Sequence, residues 1–91
     1  MPPVVALFEV FAPVGEWAGS GAQLPEESRV LGPVPARRGS DPAGQSERVL
    51  ITCPRRQGVE TARELRAWLA RRSAAKAAGS ASVYADPVHL A

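Results

Sequence analysis

Apolar residues gather in four places along this chain, separated by turn-forming residues. Pro3 to Phe11, PVVALFEVF, is a run rich in Val and Phe between prolines, the pattern of a buried or half-buried strand. Glu9 interrupts it and, at period two, shares a face with Val5, Leu7 and Phe11, which places it at a sheet margin or at an irregularity in the strand. Glu47 to Thr52, ERVLIT, is a β-branched run that stops at Cys53-Pro54 and reads as a second strand. From Val59 the period becomes helical: Val59, Ala62, Leu65 and Leu69 fall on one stripe, with Trp68 beside it. Gly58 is placed to cap this helix and Glu60 lies in its first turn. Arg71, Arg72 and Lys76 lie toward its end, where the dipole favours bases. The helix should finish near Ala78 with Gly79 as the residue after the cap, and SVYA then forms a last strand before Asp86-Pro87.

The residues between these groups are of a different kind. From Ala12 to Ser46 the chain meets Pro or Gly so often that no long helix fits, and most of it is expected to be loop or partly disordered. Ser28 to Val34 holds at most a brief strand, and Ala36 to Ser46 reads as a flexible linker. A structureless stretch of this length is unusual in a compact domain, so it is either disordered or wrapped around a partner.

These elements predict an α+β or small α/β fold: a three-stranded sheet with one long helix, a C-terminal βαβ-like unit over residues 47–86, and a long Pro/Gly-rich loop in the first half. A strand, a crossover helix and a strand that pair in parallel form a right-handed unit. The uncovered face of so small a sheet must meet the loop or a second copy. The 91 residues form a single domain near the size at which only about 60–65% of the unfolded surface is buried. With aromatic residues only at Phe8, Phe11, Trp17, Trp68 and Tyr84, the core is thin, and a partner subunit is expected to complete it.

Charge changes the picture along the chain rather than in total. The formal net charge is +2, but residues 1–47 carry three Arg against six acids and residues 48–91 carry eight Arg or Lys against three, giving −3 followed by +5. The basic half suits an acidic partner, a nucleotide or nucleic acid, and the acidic half is equally suited to be its intramolecular complement. A single cysteine excludes an internal disulfide and fits a reducing cytoplasm, and no run approaches the length of a membrane span or an export signal.

Cys53 is the chief chemical candidate. It ends a strand directly before a helix, where N–H groups, the dipole and the neighbouring Arg55 and Arg56 would favour a thiolate; the plainer reading is a small core residue closing the strand. The segment VLITCP followed by GVETARELRAWL resembles the phosphocysteine B components of sugar phosphotransferase systems, which implies a phosphorylated cysteine at Cys53. RVLITCPRRQ and its Ala/Leu/Arg helix is similar to the opening strand and helix of uroporphyrinogen-III synthases. Arg55, Arg56 and Gln57 at the helix N-terminus suit an anion such as phosphate, without the glycine pattern of a P-loop or a dinucleotide fold. Trp17, in a glycine-rich loop, is either a lid over the core or an anchor for a partner. His89, the only histidine, is set against Cys53 as a conceivable dyad, and one His with one Cys supplies no metal site. The helix face with Arg63, Arg66, Arg71, Arg72 and Lys76 is interleaved with Glu60 and Glu64, as in a solvated face.

The leading expectation is therefore a non-enzymatic protein-binding module or assembly subunit in the cytoplasm, a protein partner or self-association being favoured and no cofactor expected. A thiol or phosphoryl-transfer protein using Cys53 is the first alternative. Nucleic-acid binding through the basic helix 59–78 ranks third and nucleic acid is disfavoured as a partner, since the sequence has no RNA-recognition aromatic motif, no metal-finger spacing and no helix-turn-helix.

Overall fold

The computed structural model describes residues 5–36, 46–77 and 79–85. Four strands and one helix make up its regular structure: β1 (Val5–Pro13), β2 (Arg29–Ala36), β3 (Ser46–Pro54), a single 3₁₀ turn (Arg55–Gln57), α1 (Gly58–Ala74) and β4 (Ser82–Ala85). The strands form one antiparallel sheet in the order β2-β3-β1-β4. This is an α+β fold with four strands where the sequence pattern predicted three.

The predicted βαβ-like unit is present only in a split form. β3 and β4 each run antiparallel to β1, so they share a direction, but β1 lies between them and they do not pair with each other. The physical reason is the quality of β1: nine residues alternate strictly between buried and half-buried, so this strand takes a neighbour on both edges. The register sets Val10 opposite both Val49 and Val83, and Phe8 opposite Ile51. Glu9 is therefore in mid-strand, at neither a margin nor an irregularity. Its face of the sheet is the one opposite α1, and its carboxylate pairs there with Arg48.

β2 occupies an edge and is exposed along nearly its whole length. Two prolines, Pro33 and Pro35, lie in it, and its register against β3 shifts between Leu31 and Val34. An edge strand accepts both features because one side needs no ladder hydrogen bonds. Gly32 has φ +105° at this irregularity, and a Cβ there would stand 2.9 Å from the Arg48 carbonyl oxygen. Only glycine lets β2 approach β3 so closely.

The core lies between the sheet and α1. Ala6, Phe8, Val10 and Ala12 of β1, Val49, Ile51 and Cys53 of β3, and Leu65 and Trp68 of α1 are all buried. Each large member contributes about 1.5–3 kcal/mol through its removal from water. The buried stripe of α1 runs through Thr61, Leu65 and Trp68, flanked by Ala62 and Leu69. Val59, predicted to lie on that stripe, is 71% exposed. The close approach is made one residue earlier, at Gly58, where an added Cβ would stand 3.3 Å from that of Ala6, so Val59 turns outward. Gln57, not Gly58, is the N-cap residue.

The helix also ends earlier than its periodicity predicted. Its cap is Ala75, and Lys76 adopts the left-handed conformation at φ 54°. The Ala77 N–H donates to the Arg72 carbonyl and the Lys76 N–H to that of Ser73. These are the two bonds of a Schellman motif, with lysine in the position usually held by glycine.

The connection from β1 to β2 follows the flank of α1 from its C-terminal to its N-terminal end. Glu16 pairs with Arg72, Trp17 meets Trp68 edge to face at 5.7 Å, the Gln23 N–H donates to Glu64 Oε1 at 3.1 Å, and Glu27 pairs with Arg56. Leu24 packs against the core between these points. At the start of this segment Glu47, only 4% exposed, accepts hydrogen bonds from the Gly15 N–H at 2.9 Å and the Trp17 N–H at 3.1 Å. The Pro/Gly-rich stretch thus wraps its own helix. The acidic first half complements the basic second half directly, through Glu9–Arg48, Glu16–Arg72 and Glu27–Arg56. The expected linker at residues 37–45 lies outside the described residues.

Candidate nucleic-acid interface

At the pole of the molecule where β3 passes into α1, a solvent-open groove of about 730 Å³ is lined by Arg29, Arg55 and Arg56 together with Glu26, Glu27 and Ser28. Three elements meet there: the end of the β1–β2 connection, the start of β2 and the 3₁₀ turn. Pro54 ends β3 and the turn carries no buried residue, so Arg55 and Arg56 point outward. Arg56 is held by Glu27. Arg29 and Arg55 make no ion pair among the described residues, and the Ser28 hydroxyl is buried there with no hydrogen-bond partner. Two guanidinium forks that form no ion pair among the described residues suit an anion with several oxygens.

The second feature is the sheet face opposite α1, which no element covers among the described residues. Its side chains fall in cross-strand rows: Arg29, Thr52 and Leu7; then Leu31, Leu50, Glu9 and Tyr84; then Val34, Arg48, Phe11 and Ser82. Leu31 is 61% exposed, and Val34 and Tyr84 are 48% exposed. Phe11 and Tyr84 meet edge to face with ring centroids 6.0 Å apart. Arg29 belongs to both features, so the groove opens onto the face at its first row.

The residues singled out by the sequence separate into three groups. Arg55 and Arg56 are brought together with Arg29 in the groove, as an anion site would need. Gln57 is not part of it; its carbonyl accepts the Thr61 hydroxyl at 2.9 Å and its own Oε1 is buried without a partner among the described residues. Cys53, which a reactive thiol would expose at the turn, is 2% exposed on the helix-facing side of β3, with its sulfur 3.3 Å from Thr61 Oγ1. Cys53 borders the groove, but at 2% exposure little of its surface is open to a phosphate or a disulfide partner. Trp17 is partly buried and packs edge to face on Trp68 at the margin of the core. His89 lies outside the described residues. Among the described residues no group of His, Cys, Asp and Glu could hold a metal ion, and no helix is long and apolar enough to cross a membrane.

On the helix, Arg63 and Arg66 are exposed on the side away from the sheet, while Arg71 is 3.9 Å from Glu64 and Arg72 is held by Glu16 beneath the connection. The basic stripe read from the sequence is thus divided between free cations and internal ties. Arg29 and Arg48 were missed although their strands were read from the sequence, because the pairing that sets them on one sheet face is written in neither strand alone. The alternation of Leu7, Glu9 and Phe11 was the one available signal for that face.

The family model described as Primosomal protein N C-terminal domain matches residues 1–88. No curated protein and no solved structure matches the chain. The match makes this a module related to DNA replication, and it corrects the expectation that nucleic acid is a disfavoured partner. The sequence reading looked for known recognition motifs, and their absence did not exclude a nucleic-acid surface assembled from separate strands. Neither of the two resemblances drawn from the Cys53 segment is the family to which the chain matches.

Proposed function

The chain belongs to the family of primosomal protein N C-terminal domains, and on that premise we propose that it is a non-enzymatic DNA-binding module of the replication-priming machinery. The single observation that carries this reading is the groove in which Arg29 and Arg55, neither ion-paired among the described residues, stand beside Arg56 and the Ser28 hydroxyl. Arg55 and Arg56 keep the anion-binding role read from the sequence, with Arg29 in place of Gln57 as the third member. The anion is a phosphate of the DNA backbone. Planar guanidinium forks bind such a group in bidentate fashion. Glu26 and Glu27 at the groove rim offset part of this charge, which keeps the site from acting as a general polyanion trap. The thin core and the long loop, which favoured a protein-binding module, are met in part within the chain, where Trp17 and Leu24 pack against the core and Glu47 holds the start of the loop.

The test is the affinity for a labelled oligonucleotide across a salt series. The wild-type chain binds at low salt and weakens linearly in log–log form as salt rises. Replacing Arg29 and Arg55 by Glu lowers affinity for all sequences alike and reduces the salt slope by about 1.5–2. Absence of binding at low salt, or a double variant indistinguishable from wild type, overturns the assignment.

A further inference from the structure

We infer that Glu27 is a built-in competitor for the third cation of the groove: its carboxylate holds the Arg56 guanidinium in the free chain and yields it to a backbone phosphate once neighbouring phosphates occupy Arg29 and Arg55. This rests on the DNA-binding reading above and adds to it the residue that sets when Arg56 engages.

The connection between β1 and β2 is tied to the second half of the chain by two Arg–Glu pairs of different construction. Arg72 donates to Glu16 twice, from Nε to Oε1 and from Nη2 to Oε2, and the two side chains are only 11% and 24% exposed. A two-point pair sheltered from water holds the fold together. Arg56 donates to Glu27 once, from Nη2 to Oε1, and the side chains are 67% and 54% exposed. An exposed single-point pair is screened by salt and shifts an equilibrium by at most a factor of about five. It is an exchangeable contact.

The backbone on both sides allows the exchange without disturbing the core. Glu27 lies in a turn closed by the Ser28 N–H, which donates to the Pro25 carbonyl at 3.0 Å. Leu24 packs against the core on one side of this turn, and Arg29 pairs with Thr52 on the other. Arg56 belongs to the 3₁₀ turn, which buries no residue. Rotation of two surface side chains is therefore enough to part them.

The order of engagement follows from the charges. Arg29 and Arg55 form no ion pair among the described residues, so a first phosphate meets them without displacing anything. A strand held there presents its next phosphate to Arg56 at an effective concentration of about millimolar or more, and it competes with Glu27 on that footing. Glu26 lines the same groove but pairs with no cation among the described residues, so its charge acts at a distance on every anion alike. Glu26 is thus the natural control for Glu27.

The experiment titrates the 91-residue chain into a fluorescent oligothymidine of about a dozen nucleotides at low salt. Glu27→Gln and Glu27→Ala, exposed changes whose folding is checked by circular dichroism, each tighten binding about fivefold. Glu26→Gln makes the same change in charge and tightens binding no more than about twofold. In an Arg56→Gln background the gain from Glu27→Gln falls to about twofold, while that from Glu26→Gln is unchanged; the double-mutant cycle isolates the pair. Equal gains from Glu26→Gln and Glu27→Gln, or a Glu27 gain that survives the loss of Arg56, overturn the competitor. The DNA-binding reading then still stands if Arg29→Glu with Arg55→Glu weakens binding. A chain that binds no oligothymidine at low salt, with or without Glu27, overturns both.

Discussion

Glu47 is the most informative single residue to change, because one carboxylate ties the β1–β2 connection to the sheet. Its two oxygens accept the Gly15 and Trp17 N–H groups at 2.9 and 3.1 Å, and no cation accompanies it among the described residues. In Glu47→Gln one oxygen becomes an NH₂ that faces a donor, so one hydrogen bond is lost and the other loses its charge assistance. Hydrogen bonds to a charged group contribute about 1.5–3 kcal/mol each. Against this, the neutral side chain no longer bears the desolvation cost of a carboxylate that is 4% exposed. Gly15 is exposed, so water satisfies its N–H if the bond breaks. These opposing effects leave a net destabilisation of about 1.5 kcal/mol. For a chain of this size that lowers Tm by about 6–12 °C. The assay is thermal unfolding followed by far-UV circular dichroism, with near-UV circular dichroism reporting the Trp17–Trp68 pair. An unchanged or raised Tm with the tryptophan signal intact refutes the argument, and shows that Trp17 is held by its packing alone.

Other changes test separate parts of the fold. Lys76→Gly relieves the left-handed backbone at φ 54° in the Schellman turn and raises stability by about 0.5–1 kcal/mol in a denaturant titration; a loss contradicts the assigned cap. Gly32→Ala meets both a φ of +105° and a 2.9 Å approach to the Arg48 carbonyl, so it costs about 2 kcal/mol or more and loosens β2 in hydrogen exchange, whereas an unaffected β2 contradicts the register. Alkylation of Cys53 proceeds only at the rate of unfolding, since the sulfur is 2% exposed; rapid labelling of the folded chain with a depressed thiol pKa returns it to the chemical candidates.

The strands around Leu7 and Ile51, the helix through Leu65 and Trp68 and the last strand around Tyr84 were legible in the sequence, because each carries its own period. Their assembly was not. A one-residue difference between Gly58 and Val59 decides which side of α1 meets the sheet, and this depends on the close approach to Ala6, which no periodicity encodes. β2 was only faintly legible, since an exposed edge strand with Pro33 and Pro35 lacks the alternation that a buried strand displays. The order of the Pro/Gly-rich connection escaped for a similar reason. It is imposed by distant partners such as Glu47, Arg72 and Arg56 and not by local propensity. The arginine site was half visible: Arg55 and Arg56 stand together in the chain, but Arg29 joins them only through the pairing of β2 with β3.

Backbone amide shifts of the isotopically labelled chain, followed by NMR as oligothymidine is added, test the central claim most directly. The account predicts perturbations concentrated at Ser28, Arg29, Arg55 and Arg56, on the groove. Perturbations confined to the outer side of α1 around Arg63 and Arg66, or no perturbation at low salt, contradict it.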